Sequence, residues 1–187
     1  MKNRLNRIVT RTGDEGRSSL VDGTRLSKSS LVFRLLGDID ELNVVTGFCL
    51  LNLPMSIDAD RLIWLQQKLF DLGGLIALNQ HMDSEETQQY LVEDDLLKLE
   101  GWLKEYNESL QPLKEFVLPN GNEASLKMHW ARVVCRRVER TLCEINDAQK
   151  VRKNLLKFIN RLSDLFFVLA RVVSDKEQLW EHDRGEI

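Results

Sequence analysis

Only three prolines interrupt the 187 residues, at 54, 112 and 119, and each lies between long segments whose apolar residues recur at helical spacing. A proline inside a helix removes a hydrogen bond and clashes with the preceding turn, so this placement leaves room for long unbroken helices. The leading architecture is therefore an all-α bundle. The periodicity predicts five helices, over about 28–52, 57–79, 93–109, 123–146 and 151–182. Leu31, Leu35, Ile39, Leu42 and Val45 are apolar positions of the first, and the run LIWLQQKLFDLGGLIAL forms the body of the second. The polar stretch HMDSEETQQ between the second and third is a loop. A chain of this length makes a single domain, 1–187, with a substantial core.

The fourth helix holds the most informative stretch, HWARVVCRRVER, from His129 to Arg140. At ~100° per residue, His129, Arg132, Arg136, Glu139 and Arg140 share one arc, while Trp130, Ala131, Val134, Cys135, Val138 and Leu142 fall on the opposite side. A solvated outer face is the simplest account of such a strip. Two details favour an anionic ligand or a buried partner. The basic residues are almost all arginine, whose fork matches phosphate and carboxylate, and Glu139 is the one carboxylate among them.

The formal charge of -3 argues against general nucleic-acid binding, so any basic site is local. Cys49, Cys135 and Cys143 form no CxxC pair and suit a reducing compartment as small core residues. The start, MKNRLNRIVTRTG, lacks the apolar run of a signal peptide, and no stretch approaches the ~18 apolar residues of a membrane span. Those features point to a cytoplasmic protein with no membrane or nucleic-acid partner.

Two further segments carry possible chemistry. TRTGDEGRSSL places Gly13 and Gly16 among small hydroxyl residues, an arrangement in which backbone N–H groups can converge on an anion; it also reads as a plain N-terminal turn, and no Walker A spacing is present. In KFINRLSDLFFVLAR of the fifth helix, Asn160, Asp164 and Arg171 align at i, i+4 and i+11. The short connection at 147–150 allows antiparallel packing that could bring this cluster beside the arginine strip. Taken alone, the cluster is better explained as an interhelical polar network.

Taken together, TRTGDEGRSSL, Lys28, GDIDELN at 37–43, PLKEFVLPNGN, HWARVVCRRVER and NRLSD at 160–164 occur in the order found in the PduO-type ATP:cob(I)alamin adenosyltransferases, and nearly the whole chain resembles that family. The resemblance implies a five-helix bundle assembled as a homotrimer, with ATP and cobalamin meeting between neighbouring subunits. It implies transfer of the adenosyl group of ATP to the cobalt of cob(I)alamin, releasing triphosphate. A reductase and an adenosylcobalamin-dependent acceptor enzyme are the partners this reaction implies.

The same resemblance assigns residues. Residues 1–27 become a nucleotide-binding segment. Thr10, Arg11, Thr12, Gly13, Ser18, Ser19, Lys28, Arg136, Arg137, Val138, Glu139, Arg140 and Asn160 match positions at the nucleotide, with Lys28, Arg136 and Arg140 on the triphosphate. Mg²⁺ is expected on the phosphates, held by their oxygens and water, with no dedicated carboxylate cage. Phe116 matches the ring that occupies the lower face of the corrin and displaces the axial ligand, although alone it also reads as a core aromatic. Asp40 and Arg132 match an ion pair near an intersubunit surface.

Departures from the family pattern are Asn120 where a first glycine is usual, Arg34 where many members have Glu, and Val44 where a small polar residue is common. An alternative from another class is a non-catalytic ATP- or cobalamin-binding bundle acting in delivery or sensing. Retention of Phe116 beside Lys28, Arg136 and Asn160 favours the enzyme.

Overall fold

The computed structural model describes residues 9, 11–51, 53–78, 87–148 and 150–181. Five helices form its body: α1 Leu31–Leu50, α2 Ala59–Ala77, α3 Glu93–Glu108, α4 Glu123–Ala148 and α5 Lys153–Val172. Side chains begin most of them. Ser30 accepts from the Phe33 N–H, Asp58 from Asp60, and Asn122 from Ser125, while the Asp95 carboxylate reaches back to the Val92 N–H.

Packing neighbours run α2, α1, α4, α5, α3. The ring closes where Trp64 of α2 meets Trp102 of α3 edge-on at 5.0 Å, reinforced by pairs from Arg61 to Glu105 and Lys68 to Asp95. Inside it lie Leu35, Leu42, Leu65, Leu69, Leu99, Phe158 and Phe166, all fully buried. No described helix is long and apolar enough to cross a membrane.

Three expectations need correction. The fold is not purely helical, because after the turn at 12–15 strands β1 Arg17–Ser19 and β2 Arg25–Ser27 pair antiparallel, with Ser18 opposite Leu26. Their turn is closed by Gly23 at φ +85° and by Asp22, which accepts from both the N–H and the hydroxyl of Thr24.

The fifth helix stops at Val172, ten residues before its predicted end at position 182, which lies outside the described residues. There the Val173 carbonyl accepts from the Asn122 amide at 2.6 Å, and the Ser174 hydroxyl accepts from the Lys176 N–H, two competitors for helical bonding. Residues 173–181 instead turn back along the loop that precedes α4.

The faces of α4 also differ from the prediction. His129 is only 4% exposed, whereas Trp130 is 46% exposed. His129 turns toward Phe167, their ring centroids 6.2 Å apart, and Trp130 lies beside Phe48 of α1 at 5.8 Å. Neighbouring helices thus decide which edge of the strip is covered.

Candidate functional site

At the N-terminal end, the glycine loop and a lysine are brought together. A Cβ on Gly13 would stand 2.9 Å from the Lys28 Nζ, and the Lys28 N–H donates to the Gly16 carbonyl at 2.8 Å. The lysine tail therefore lies across the glycine loop, close against Gly13. Gly16 and Arg11 have φ of +73° and +59°, and the Arg25 guanidinium donates to the Thr12 carbonyl. Ser18 is half-buried and Ser19 exposed. Thr10, expected at the nucleotide, lies outside the described residues.

Helix α1 begins just after Lys28, and its first half docks on the arginine-rich part of α4. Asp38 accepts from Arg137 Nε at 3.0 Å and from the Thr141 hydroxyl at 2.9 Å, and Glu41 takes the other end of the Arg137 fork. Arg137 is thus committed to α1, although it was expected at the nucleotide. Val138, expected there too, is fully buried in the core, so its side chain offers a ligand nothing. Helical rotation turns Val138 to the side opposite 136 and 140, whereas Arg137 lies at the edge of the strip that faces α1.

Arg136 and Arg140 remain exposed, with no carboxylate within ion-pair distance among the described residues; Arg140 donates only to the Arg136 carbonyl, at 3.1 Å. Beside them the antiparallel α4 and α5 bring Glu139 to Asn160, whose amide donates at 2.9 Å, and Arg161 donates in turn to Asn160 Oδ1 and to Glu100 of α3. Partial burial raises the Asp164 carboxyl above the ordinary range, Arg161 opposes this, and Glu139 adds to it. Arg171, aligned with this cluster in the sequence, lies one helix end away and joins other partners.

A second recess, a cleft of about 510 Å³, is lined by Leu113, Glu115, Phe116, Val117, Arg132 and Phe167. Phe116 is 75% exposed and so is not a core aromatic. The Arg132 guanidinium lies 5.8 Å from the Phe167 ring centroid, and its buried Nε has no hydrogen-bond partner. Burial and then Arg136 lower its basicity. Within the chain Arg132 does not pair with Asp40, which sits exposed on α1 at a different recess with Phe70 and Gly73.

The chain thus presents a lysine over a glycine loop, an apolar cleft wall at Phe116, and arginines at 136 and 140 without carboxylate partners among the described residues. The profile of the cobalamin adenosyltransferase family matches residues 8–173. The chain belongs to that family. A cobalamin adenosyltransferase of Cupriavidus metallidurans is 40% identical over 98% of this chain and 99% of its own. The corrinoid adenosyltransferase of Bacillus subtilis is 35% identical over 97% and 94%. Among solved structures, a PduO-type ATP:corrinoid adenosyltransferase from Lactobacillus reuteri, a variant complexed with cobalamin and ATP, matches with a TM-score of 0.85 at 28% identity. That match covers 94% of this chain and 97% of the other.

Relative to the adenosyltransferase motifs, the turn that departs at Asn120 keeps its shape for a local reason. The positive φ of +104° falls on Gly121, so Asn120 needs no left-handed backbone, and its amide is free to donate to Gln178 Oε1 at 2.8 Å. Sequence reasoning missed Arg161, Phe167 and the residues after α5. Arg161 was visible as the neighbour of Asn160. Phe167 and Trp180 had no local signal, since their relation to the cleft is purely tertiary.

Proposed function

We propose that this family member transfers the 5′-deoxyadenosyl group of ATP to the cobalt of cob(I)alamin. The electron pair of the reduced cobalt forms the bond to C5′, the C5′–O bond breaks, and its electrons leave on triphosphate. No side-chain nucleophile is required. The protein's tasks are to position the two substrates, stabilise the triphosphate and keep competing ligands off cobalt. The observation that carries this reading is the pairing of an exposed ring, Phe116, in a mostly apolar cleft with unpaired cations at Arg136 and Arg140 on the helix that also supplies Arg132 to that cleft.

In this reading Lys28, Arg136 and Arg140 hold the phosphates with the loop of Arg11, Thr12, Gly13, Ser18 and Ser19, so residues 1–27 serve as the nucleotide segment of a single 1–187 domain. Asn160 fixes the Glu139 carboxylate through its 2.9 Å bond, which orients the acid beside the arginines. Mg²⁺ would arrive with ATP, held by phosphate oxygens and water. Phe116 covers the lower corrin face. A carbon ring offers cobalt no donor atom, and cob(II)alamin deprived of its axial ligand is easier to reduce.

The protein works as a homotrimer in this proposal. Val44 and Phe48 on α1, Leu51 just after it, and Leu126, Trp130 and Val133 on α4 are each at least 42% exposed, and an apolar stripe of this kind is suited to burial against another copy. Asp40, unpaired with Arg132 inside one chain, would meet the Arg132 of a neighbour. A cytoplasmic setting with a reductase supplying electrons and an adenosylcobalamin-dependent enzyme taking the product suits the three free thiols.

The decisive experiment incubates purified protein with chemically reduced cobalamin and MgATP without oxygen. The adenosylcobalamin spectrum should appear with stoichiometric triphosphate. Binding of ATP without turnover would overturn the enzymatic reading in favour of a delivery or sensing protein.

A further inference from the structure

Phe116 stands largely in solvent on a loop, yet a ring meant to displace a cobalt ligand must point in one direction. Its local support is slight: its own N–H donates to the adjacent Glu115 carboxylate. The larger support comes from residues 173–181. The Trp180 N–H donates to the Phe116 carbonyl at 2.7 Å, the Leu118 N–H donates to the Gln178 carbonyl at 2.8 Å, and Val117 lies opposite Leu179 in an antiparallel bridge. The Trp180 ring lies tilted against Phe116, centroids 6.3 Å apart.

The root of this strap is anchored by a buried charge. Arg171 is 7% exposed, and its Nε donates to Glu177 at 2.5 Å while an Nη donates to the Gln111 carbonyl at 2.8 Å. One guanidinium thereby joins the strap to the start of the Phe116 loop, and losing Glu177 would leave its buried charge uncompensated. At the other end of the loop, a Cβ on Gly121 would come within 2.6 Å of the Ser174 hydroxyl. The loop is held against the strap along its whole length.

We propose that residues 173–181, clasped through Arg171 and Glu177, position the Phe116 ring against the corrin, with Trp180 as the backing surface. Trp180 and Glu177 are positioning residues: they touch neither cobalt nor ATP. This rests on the reading of Phe116 as the lower-face residue. A strap that served only the fold would affect every activity in proportion to the folded protein lost.

The test uses full-length Trp180→Ala, Trp180→Phe and Glu177→Gln, with Phe116→Ala as reference. Each is saturated with ATP and cob(II)alamin, and the four-coordinate cobalt species is measured by electron paramagnetic resonance. In Trp180→Ala and Glu177→Gln the four-coordinate fraction should fall, and turnover started from cob(II)alamin should drop about tenfold or more while turnover from cob(I)alamin stays within about twofold. Trp180→Phe should retain the signal. Folded Trp180→Ala and Glu177→Gln with a normal four-coordinate fraction, or an equal loss in both assays, would overturn the positioning role. If Phe116→Ala itself keeps the signal, the lower-face reading fails and the strap's role with it. Loss of the signal in Phe116→Ala alone defeats only the strap.

Discussion

Replacing Phe116 by alanine separates a ring that serves chemistry from one that serves packing. Phe116 is 75% exposed, so truncation forfeits only about a quarter of the ~1.5–3 kcal/mol that complete burial of such a ring contributes, which is below ~1 kcal/mol. Phe158 is fully buried between the helices, and the same substitution there should cost ~3–5 kcal/mol through lost transfer energy and a residual cavity. Denaturant titrations followed by circular dichroism compare the two directly. Phe116→Ala should unfold near the wild-type midpoint, bind ATP normally and turn over pre-reduced cob(I)alamin, while turnover beginning with cob(II)alamin collapses. A destabilisation matching that of Phe158→Ala, or parallel decline in both assays, would refute the reasoning.

Arg136→Ala should lower kcat/KM for ATP roughly ten- to hundredfold, the equivalent of a ~1.5–3 kcal/mol charge-assisted contact, and Arg136→Lys should recover only part of it; unchanged steady-state kinetics at limiting ATP would remove Arg136 from the phosphates. Sedimentation should report a trimer, and co-assembly of Asp40→Ala with Arg132→Ala subunits should restore activity beyond that of either alone, whereas no recovery counts against a shared site. Burial, and then Arg132, push the His129 imidazole below its ordinary 6.5, so the unfolded chain binds more protons; the stability this group contributes is complete above pH 6.5 and is lost as pH falls through the lower folded value. His129→Gln should flatten that part of the stability profile in denaturant titrations at stepped pH, and an unchanged slope would mean that another group sets it.

Helices were legible because their signal is local. Leu35, Ile39, Leu42 and Val45 recur at the period that buries one face, and α1 forms where that period runs. The juxtaposition of Glu139 and Asn160 was legible too, because a short connection leaves antiparallel packing as the natural arrangement. What the sequence concealed depends on partners far away in the chain. His129 and Trp130 are adjacent on the edge of an amphipathic helix, and only the positions of Phe167 and Phe48 decide which is covered. The end of α5 was hidden for the same reason: residues 173–181 continue an acceptable helical pattern, but the loop at 116–118 supplies competing hydrogen bonds. Phe116 looks apolar in a string of letters, and apolarity alone does not distinguish a core ring from one left outside for a ligand.

The β1–β2 hairpin is fastened to the bundle lightly. Between residues 11 and 27, Leu20 is the one buried side chain, at 6% exposure, and the Val21 N–H reaches the Ala77 carbonyl at the end of α2. A single buried leucine contributes ~1.5–3 kcal/mol, well short of the ~5–15 kcal/mol that unfolds a whole domain. Amide hydrogens of the hairpin should therefore exchange by local opening while the bundle amides wait for global unfolding. If residues 11–27 clamp ATP as proposed, that clamp is a separately melting part. Saturating ATP should slow hairpin exchange by the factor 1 + [ATP]/Kd. On that proposal, opening the hairpin side of the nucleotide site would cost only a few kcal/mol, with the bundle still folded.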